Sequence, residues 1–228
     1  VVSTQSTGIK MNKDQQKALM EFERDFVILK KEFIESSSCT RLETVFFTPN
    51  LEGMSSQDRK ILRSNCHKMF CDKCPYDKLI FKAFITITPD FPQKNPSIGI
   101  QANAIIHPNI HFASGSVCTA ELKGDWNPKS KLIDICDLFL PNLLLQPNPD
   151  DHQDDAAKNL FVNKPEQFMT LAESQARKTS LKWKDFQAVK MTPSFRKRVE
   201  SYLGPEPHAD TPKKDVKKVH VALDLDSV

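Results

Sequence analysis

The chain has 228 residues and a formal net charge of +3, and 39% of its residues are hydrophobic while 27% are charged. These values are ordinary for a soluble globular protein and allow one domain with its own core plus extensions. The sequence has no apolar run of about 18 residues, so no membrane span is expected. Six cysteines in a chain of this length do not predict a secreted disulfide scaffold.

The two ends of the chain differ from its middle. Val1–Thr7 lacks a basic stretch followed by an apolar one, so no signal peptide is expected, and without an initiator Met the natural start can lie upstream. Residues 177–220 hold twelve Lys and Arg against five Asp and Glu, a local charge of +7 that leaves −4 for the rest. We therefore predict a flexible arm over 1–11, a folded domain over 12–175, and a basic, partly disordered extension over 176–228.

The first half of the chain predicts a helix followed by strands. A helix is predicted over residues 12–35, with Asn12 as its cap and an apolar stripe at spacings of three and four: Ala18, Leu19, Phe22, Phe26, Leu29 and Phe33. Strands are predicted over 44–48, 79–87 and 97–100, with proline-containing loops after the first two. The polar residues 51–65 give no clear assignment.

The second half predicts an irregular stretch followed by helices. Residues 103–130 show little regular pattern, whereas 131–146 form an apolar run that predicts a buried helix, kinked or broken by Pro141. Further helices are predicted over 154–161 and 165–187. A mobile tail is predicted beyond about residue 190, because Pro, Lys and Asp become frequent there. A helix, strands, an irregular stretch and helices together indicate the α+β class.

Four short motifs stand in and after the irregular stretch. They are His107-Pro108-Asn109-Ile110, then Gly115-Ser116-Val117-Cys118, then Trp126-Asn127-Pro128, and finally Pro147-Asn148-Pro149-Asp150-Asp151. Four landmarks in this order are far more specific than any one of them. The series resembles the active-site half of the ubiquitin-conjugating enzymes, and a proline and aromatic pattern between Pro75 and Pro96 adds to the resemblance.

The resemblance implies an N-terminal helix, a four-stranded antiparallel meander, an irregular active-site stretch and C-terminal helices. It implies that Cys118 carries a small modifier protein as a thioester, which is reactive toward amines yet survives briefly in water. The Asn109 amide would stabilise the oxyanion formed when a substrate lysine attacks. Asp151, with Asp150 as second choice, would orient that lysine and accept its proton. A structural role is expected for the other motif residues: His107, Pro108, Trp126, Pro128, Pro147 and Asn148.

The implied partners are ubiquitin or a ubiquitin-like modifier, an activating enzyme, a ligase and a substrate protein. No cofactor is expected, since ATP is used by the upstream activating enzyme, and the expected location is the cytoplasm, the nucleus or both. The chain departs from the family at several places, among them the helix before Pro147, which has one extra residue and carries Pro141, and residues 52–74, which match poorly. One residue is inserted between Asn109 and Cys118, Ala120 stands where Asp or Asn is frequent, and residues 92–95 lack the apolar residue that many members present to ligases. Docking of an unusual ligase is therefore expected.

Other interpretations remain open at this stage. A domain of the same fold that binds a modifier without forming the thioester is the main alternative, and a conjugating enzyme for a ubiquitin-like modifier is the second. Cys66-His67, Cys71 and Cys74 resemble half of a zinc site, but strand or hairpin cysteines are favoured and no metal is predicted. The basic tail fits a solvated segment or a nuclear-import signal better than a nucleic-acid site. Residues 219–226 alternate in a way that could add a strand to a partner's sheet, although a disordered end is favoured.

Overall fold

A computed structural model of the chain describes residues 11–70, 73–119, 122, 124 and 126–207. Of the predicted arm, only Met11 is described. Also outside the described residues are Cys71, Ala120, the basic residues 213–218 and the alternating residues 219–226. In the part that is described, no helix is both long and apolar enough to cross a bilayer.

Four antiparallel strands form one sheet in the order in which they follow along the chain. They are β1 (Ile28–Ile34), β2 (Cys39–Phe47), β3 (Ile80–Ile87) and β4 (Ser97–Ile100). The two middle strands supply alternating, fully buried side chains, including Leu42 on β2 and Ile85 on β3, which pair directly across the sheet. The predicted α+β class with a four-stranded antiparallel meander is confirmed.

The first helix, α1 (Lys13–Asp25), begins where the sequence predicts. The Asn12 side chain accepts a hydrogen bond from the Gln15 backbone N–H, and the Gln15 side chain accepts one from the Asn12 N–H, a reciprocal cap. The predicted continuation of the helix to residue 35 is wrong, because the chain turns extended at Phe26 and forms β1. The apolar residues Leu29 and Phe33, spaced as in a helix, also fit the two half-buried ends of a strand. Pairing of this segment with β2 makes it a strand rather than a helix.

The apolar run after the irregular stretch crosses behind the sheet in three consecutive pieces, residues 132–145, which we call the central helix. They are α3 (Leu132–Asp134), a π-helical turn (Ile135–Phe139) and α4 (Leu140–Leu145). Pro141 lies in the first turn of α4 and cannot donate a backbone hydrogen bond. The wider π turn directly before it absorbs that interruption, so the expected break takes the form of a π bulge.

The unassigned segment between β2 and β3 is partly helical. It contains α2 (Ser56–Asn65) and a 3-10 turn (Lys68–Phe70) whose Phe70 is completely buried. The backbone N–H of His67 donates to the Leu145 carbonyl at 2.9 Å, so this segment supports the end of the central helix. The segment also carries cysteines of the half zinc-site pattern, which were expected in a strand or hairpin. That expectation is wrong for Cys66 and Cys74, which lie outside every described strand.

Three helices complete the fold, and the last of them corrects the prediction of a mobile tail beyond residue 190. α5 (Asp155–Asn163) and α6 (Pro165–Thr179) fall in the two predicted regions, and a 3-10 turn (Trp183–Phe186) replaces the predicted end of the second. α7 (Pro193–Leu203) is capped by the Thr192 side chain. Its apolar face, spaced as a helix requires, is buried against the sheet.

α7 is joined to both the sheet and the central helix. The Phe195 ring lies 5.6 Å from the Phe47 ring and 6.2 Å from the Phe26 ring. The Arg198 guanidinium stands 4.3 Å from the centre of the Phe47 ring and pairs with Asp137 on the central helix at 2.6 Å. Residues after the predicted domain end at 175 thus share the core of the domain.

Phe195→Ala should lower the free energy of unfolding by about 3–5 kcal/mol, because it removes a fully buried aromatic ring from this contact. Urea denaturation of the full chain measures the change. Lys197→Ala, on the exposed side of the same helix, is the matched control and should change stability by no more than about 0.5 kcal/mol. Equal unfolding midpoints for the two variants would show that α7 is not part of the core.

Candidate active site

A hairpin-like loop carries the first two motifs. Ile110 bridges to both His107 and Val117, and the Cys118 backbone N–H donates to the Asn109 carbonyl at 2.9 Å. Gly115 has a φ of 74°, and a Cβ added there would stand 2.0 Å from the Ile100 carbonyl oxygen. Only glycine fits this position, so the loop that contains the inserted residue closes tightly against the end of β4.

His107 lies under the loop with no solvent exposure. Its Nδ1 accepts a hydrogen bond from the Asn109 backbone N–H at 3.1 Å, so the proton belongs on Nε2, which lies close to the Leu143 carbonyl. The Nε2 contact falls short of hydrogen-bond geometry. Burial lowers the pKa of His107 to about 3, so the ring is neutral and serves as a packed connection between the loop and the central helix.

The Asn109 side chain is buried and holds the fourth motif. Its Nδ2 donates to the carbonyl oxygens of Asn148 and Asp151, each at 2.8 Å, and its Oδ1 accepts from the Asn148 N–H at 2.8 Å. Both amide hydrogens are therefore engaged by the backbone of the 147–151 turn. The oxyanion role of Asn109 stays a prediction, and in this conformation it would require the amide to release at least one of these contacts.

The turn brings Asp151 to the candidate nucleophile. The Cys118 Sγ lies 3.5 Å from Asp151 Oδ2, and the thiol is half-buried rather than enclosed. The Asn148 side chain accepts hydrogen bonds from the Asp150 and Asp151 backbone N–H groups, which tightens the turn. Thirty-three residues separate the thiol from this carboxylate, so only the fold brings them together.

Neither Asp150 nor Asp151 caps α5, the helix that follows the turn. Asp154 does this, because its Oδ1 accepts from the Ala157 N–H while its Oδ2 accepts from the Phe112 N–H in the loop before the cysteine. Asp154 therefore joins that loop to the start of α5. Asp150 and Asp151 are both exposed and thus accessible to a substrate.

The Trp126 motif supports the other side of the site. The indole Nε1 donates to the Pro92 carbonyl at 2.8 Å, and the ring lies 5.9 Å from that of Phe91. Trp126 also lines a cleft of about 330 Å³ with Leu122, which follows Cys118 by four residues, and with Leu138 of the central helix. Leu138 is 57% exposed, so an apolar surface is available close to the thiol-bearing loop.

The other cysteines lie in different settings. Cys136 and Cys74 are buried, and burial raises the pKa of the Cys74 thiol to about 12, which keeps it protonated and unreactive. Within the described ranges, no group of three or more His, Cys, Asp or Glu side chains is arranged to hold a metal ion. Cys71 belonged to the half-site pattern, and its position is not among those described.

The neutral His107 ring gives a pH dependence of stability with a definite sign. The unfolded histidine takes up a proton near pH 6.5, whereas the folded one does so only near pH 3, so the free energy of unfolding is full above about pH 6.5 and falls as the pH drops toward 3. The slope from this residue is at most about 1.4 kcal/mol per pH unit. Denaturation of His107→Gln between about pH 4 and 7 should show a shallower slope than the wild type. If the free energy of unfolding changed with pH at the same slope in the variant and the wild type, His107 would not be a buried neutral ring.

Comparison with known proteins places this site in a family. The family model described as ubiquitin-conjugating enzyme matches residues 43–176, more than half of the chain. The ubiquitin-conjugating enzyme E2-23 kDa of Triticum aestivum is 40% identical over 87 residues, which are 38% of this chain and 47% of that protein. The E2-24 kDa enzyme of Saccharomyces cerevisiae is 37% identical over 86 residues, 38% of this chain and 39% of its own length. The chain thus spans less than half of the length of these relatives.

Solved structures share the fold. A chain from Plasmodium yoelii that is assigned as a ubiquitin conjugating enzyme is 25% identical, with a TM-score of 0.51 over 76% of this chain and 97% of that one. The E2 domain of a Toxoplasma gondii ubiquitin conjugating enzyme is 20% identical, with a TM-score of 0.51 over 74% of this chain and all of that domain, and supports the fold alone. With the sheet, the central helix and the cysteine loop arranged as described, the chain belongs to the ubiquitin-conjugating enzyme family.

Proposed function

We propose that this protein is an active conjugating enzyme that carries ubiquitin or a ubiquitin-like modifier as a thioester on Cys118 and transfers it to a substrate lysine. The observation that carries the proposal is the placement of a half-buried thiol 3.5 Å from the Asp151 carboxylate in a chain of this family. A carboxylate at this distance can assist proton movements at the same centre.

The first step is exchange between a thiol and a thioester. The Cys118 thiol first gives up its proton to the nearby Asp151 carboxylate or to solvent, and the thiolate then attacks the C-terminal carbonyl of the modifier. The new C–S bond forms, the C–S bond to the activating enzyme breaks, and that enzyme's thiolate leaves and takes up a proton from solvent. The apolar cleft beside Leu122 and the exposed Leu138 offer a surface that a carried protein can contact.

The second step is aminolysis. The neutral amine of a substrate lysine attacks the thioester, the C–N bond forms, the C–S bond breaks and Cys118 leaves as a thiolate. Asp151 accepts the proton that the amine loses, with Asp150 next to it on the same exposed turn. Asn109 contributes either by turning an amide hydrogen toward the oxyanion or by holding the turn that presents Asp151.

The proposed chemistry requires protein partners but no cofactor of its own. These partners are the modifier, an activating enzyme that uses ATP, a substrate protein and a ligase. Residues 92–95 are the reason to expect unusual ligase docking, since they present Gln93, Lys94 and Asn95 after Pro92. Free thiols at Cys39, Cys74, Cys118 and Cys136 are compatible with a reducing compartment, and we propose the cytoplasm, the nucleus or both.

Cys118→Ala should abolish loading of the modifier without unfolding the domain, because a half-buried thiol contributes little to the core. The chain is incubated with an activating enzyme, ATP and ubiquitin, or a panel of ubiquitin-like modifiers, and run on non-reducing and reducing gels. The wild type should give a band heavier by one modifier that thiol reductant removes. Cys66→Ala, also half-buried, is the matched control and should load normally. The absence of a band from the wild type with every modifier would favour the non-catalytic binding scaffold.

Asn109→Ala should spare loading but slow transfer to free lysine in single-turnover discharge. It should also lower the free energy of unfolding by about 1–3 kcal/mol, because the buried Asn109 amide makes three hydrogen bonds to the turn that the variant loses. A transfer defect without a stability change would favour the oxyanion role, and both together would favour holding of the turn. Asn159→Ala, exposed on α5, is the control. Wild-type transfer rates in Asn109→Ala would eliminate both roles.

A further inference from the structure

His152 follows Asp151 directly and joins the active-site turn to the next helix. Its Nδ1 lies 3.1 Å from the Pro149 carbonyl oxygen, inside the turn, and its Nε2 lies 2.8 Å from Asp155 Oδ1, on the first residue of α5. The ring is largely covered, with 26% of its side chain exposed, whereas the Asp155 side chain is 88% exposed. This histidine belongs to none of the four motifs.

The ring is a bridge between two hydrogen-bond acceptors. A carbonyl oxygen and a carboxylate both require a donor, and a neutral imidazole carries only one N–H. Both contacts are therefore hydrogen bonds only when both ring nitrogens are protonated. Asp155 contacts the ring directly, and Asp150, Asp151 and Asp154 are its other acidic neighbours along the chain.

The far end of the bridge is well anchored. Asp155 begins α5, whose cap is the Asp154 side chain, and the Gln153 and Asp154 N–H groups both donate to the Pro108 carbonyl. The near end is Pro149, the middle residue of the turn, which Asn109 does not contact in any of its side-chain hydrogen bonds. Pro149 lies between Asn148 and Asp151, the two residues that Asn109 contacts. His152 therefore connects this middle part of the turn to the first residue of α5.

We propose that His152 is a positioning residue for lysine transfer, which bridges the Pro149 carbonyl and the Asp155 carboxylate and thereby holds Asp151 beside Cys118. The proposal rests on the proposed function, since it acts through Asp151. It predicts a specific defect: the step that uses the Asp151 carboxylate on the incoming lysine becomes slower, and loading of Cys118 does not.

The first test compares two substitutions at the anchor. Asp155→Ala removes the acceptor, whereas Asp155→Asn keeps an oxygen that can accept from Nε2. The thioester is formed on each variant, and its single-turnover discharge is followed against free-lysine concentration. Asp155→Ala and His152→Ala should each lower the rate at saturating lysine by on the order of tenfold, since small misplacements of a reacting group have effects of this size or larger. Asp155→Asn should restore most of the rate.

The second test uses the double variant. The double variant His152→Ala with Asp155→Ala should be no slower than the worse single variant, because both remove one bridge. Asn159→Ala serves again as the control on the same helix.

A third measurement does not depend on activity. Amide hydrogen exchange at Asp150 and Asp151, whose N–H groups bond to the Asn148 side chain, should become several-fold faster in both His152→Ala and Asp155→Ala. If the wild type fails to load any modifier, the proposed function fails while this measurement still decides whether the bridge exists. Normal loading with unchanged discharge in both alanine variants, or unchanged exchange in both, would overturn the positioning role.

Discussion

One buried amide holds the active-site region together. The Asn109 side chain makes three hydrogen bonds of 2.8 Å to the backbone of a turn that lies about forty residues further along the chain. The turn before Asp155 has no regular structure of its own and depends on side chains for its shape, whereas the loop before Cys118 is also held by the backbone bridges of Ile110. The Asn109 side chain is buried, and its loss would be costly because three hydrogen bonds to the turn would be lost with it.

The central helix and the neutral His107 ring give that amide a fixed base. The ring lies between the Asn109 N–H and the Leu143 carbonyl, so the loop sits directly on the helix. The segment between β2 and β3 supports the same helix at its end through the His67 N–H, and α7 supports its π turn through Arg198. Both supports come from segments whose structure the sequence did not predict, residues 51–70 and the helix α7, and they contact the central helix at two different places.

Such a base suits the chemistry that the site would perform. Thioester transfer needs a thiol that the modifier can reach and a carboxylate that stays within proton-transfer distance of the incoming amine. Cys118 is half-buried and Asp151 is exposed, with 3.5 Å between the thiol and the carboxylate, while His107 and Asn109, which hold the loop and the turn, are buried. The side chains that a substrate would reach are thus accessible, and the neighbouring side chains that position them are buried.

The sequence predicted the class, three of the four strands and the motif series, because alternating apolar residues and short motifs are local signals, while the four-stranded sheet was implied by the family resemblance. It failed at β1, where the spacing of Phe26, Leu29 and Phe33 satisfies a helix and a half-buried edge strand alike, and only pairing with β2 decides. It failed at α7, where Thr192-Pro193 and the spacing of Phe195, Val199 and Tyr202 carried a helix signal that the basic composition obscured.

The details of the site lie beyond what local signals contain. The direction of the Asn109 amide depends on a turn that only the folded chain brings near, and the two contacts of His152 depend on the shape of that turn. The motif spacing indicates which side chains belong to the site, while the hydrogen bonds that orient them come from residues distant in sequence.

Intact-mass analysis of the charged protein tests the central claim most directly. After incubation with an activating enzyme, ATP and ubiquitin or a ubiquitin-like modifier, an acid-quenched sample should gain the mass of one modifier less one water. Proteolytic mapping should place the adduct on Cys118, and added lysine should remove it with formation of the modifier–lysine product. An adduct on another cysteine, or a Cys118 adduct that lysine does not discharge, would contradict the account.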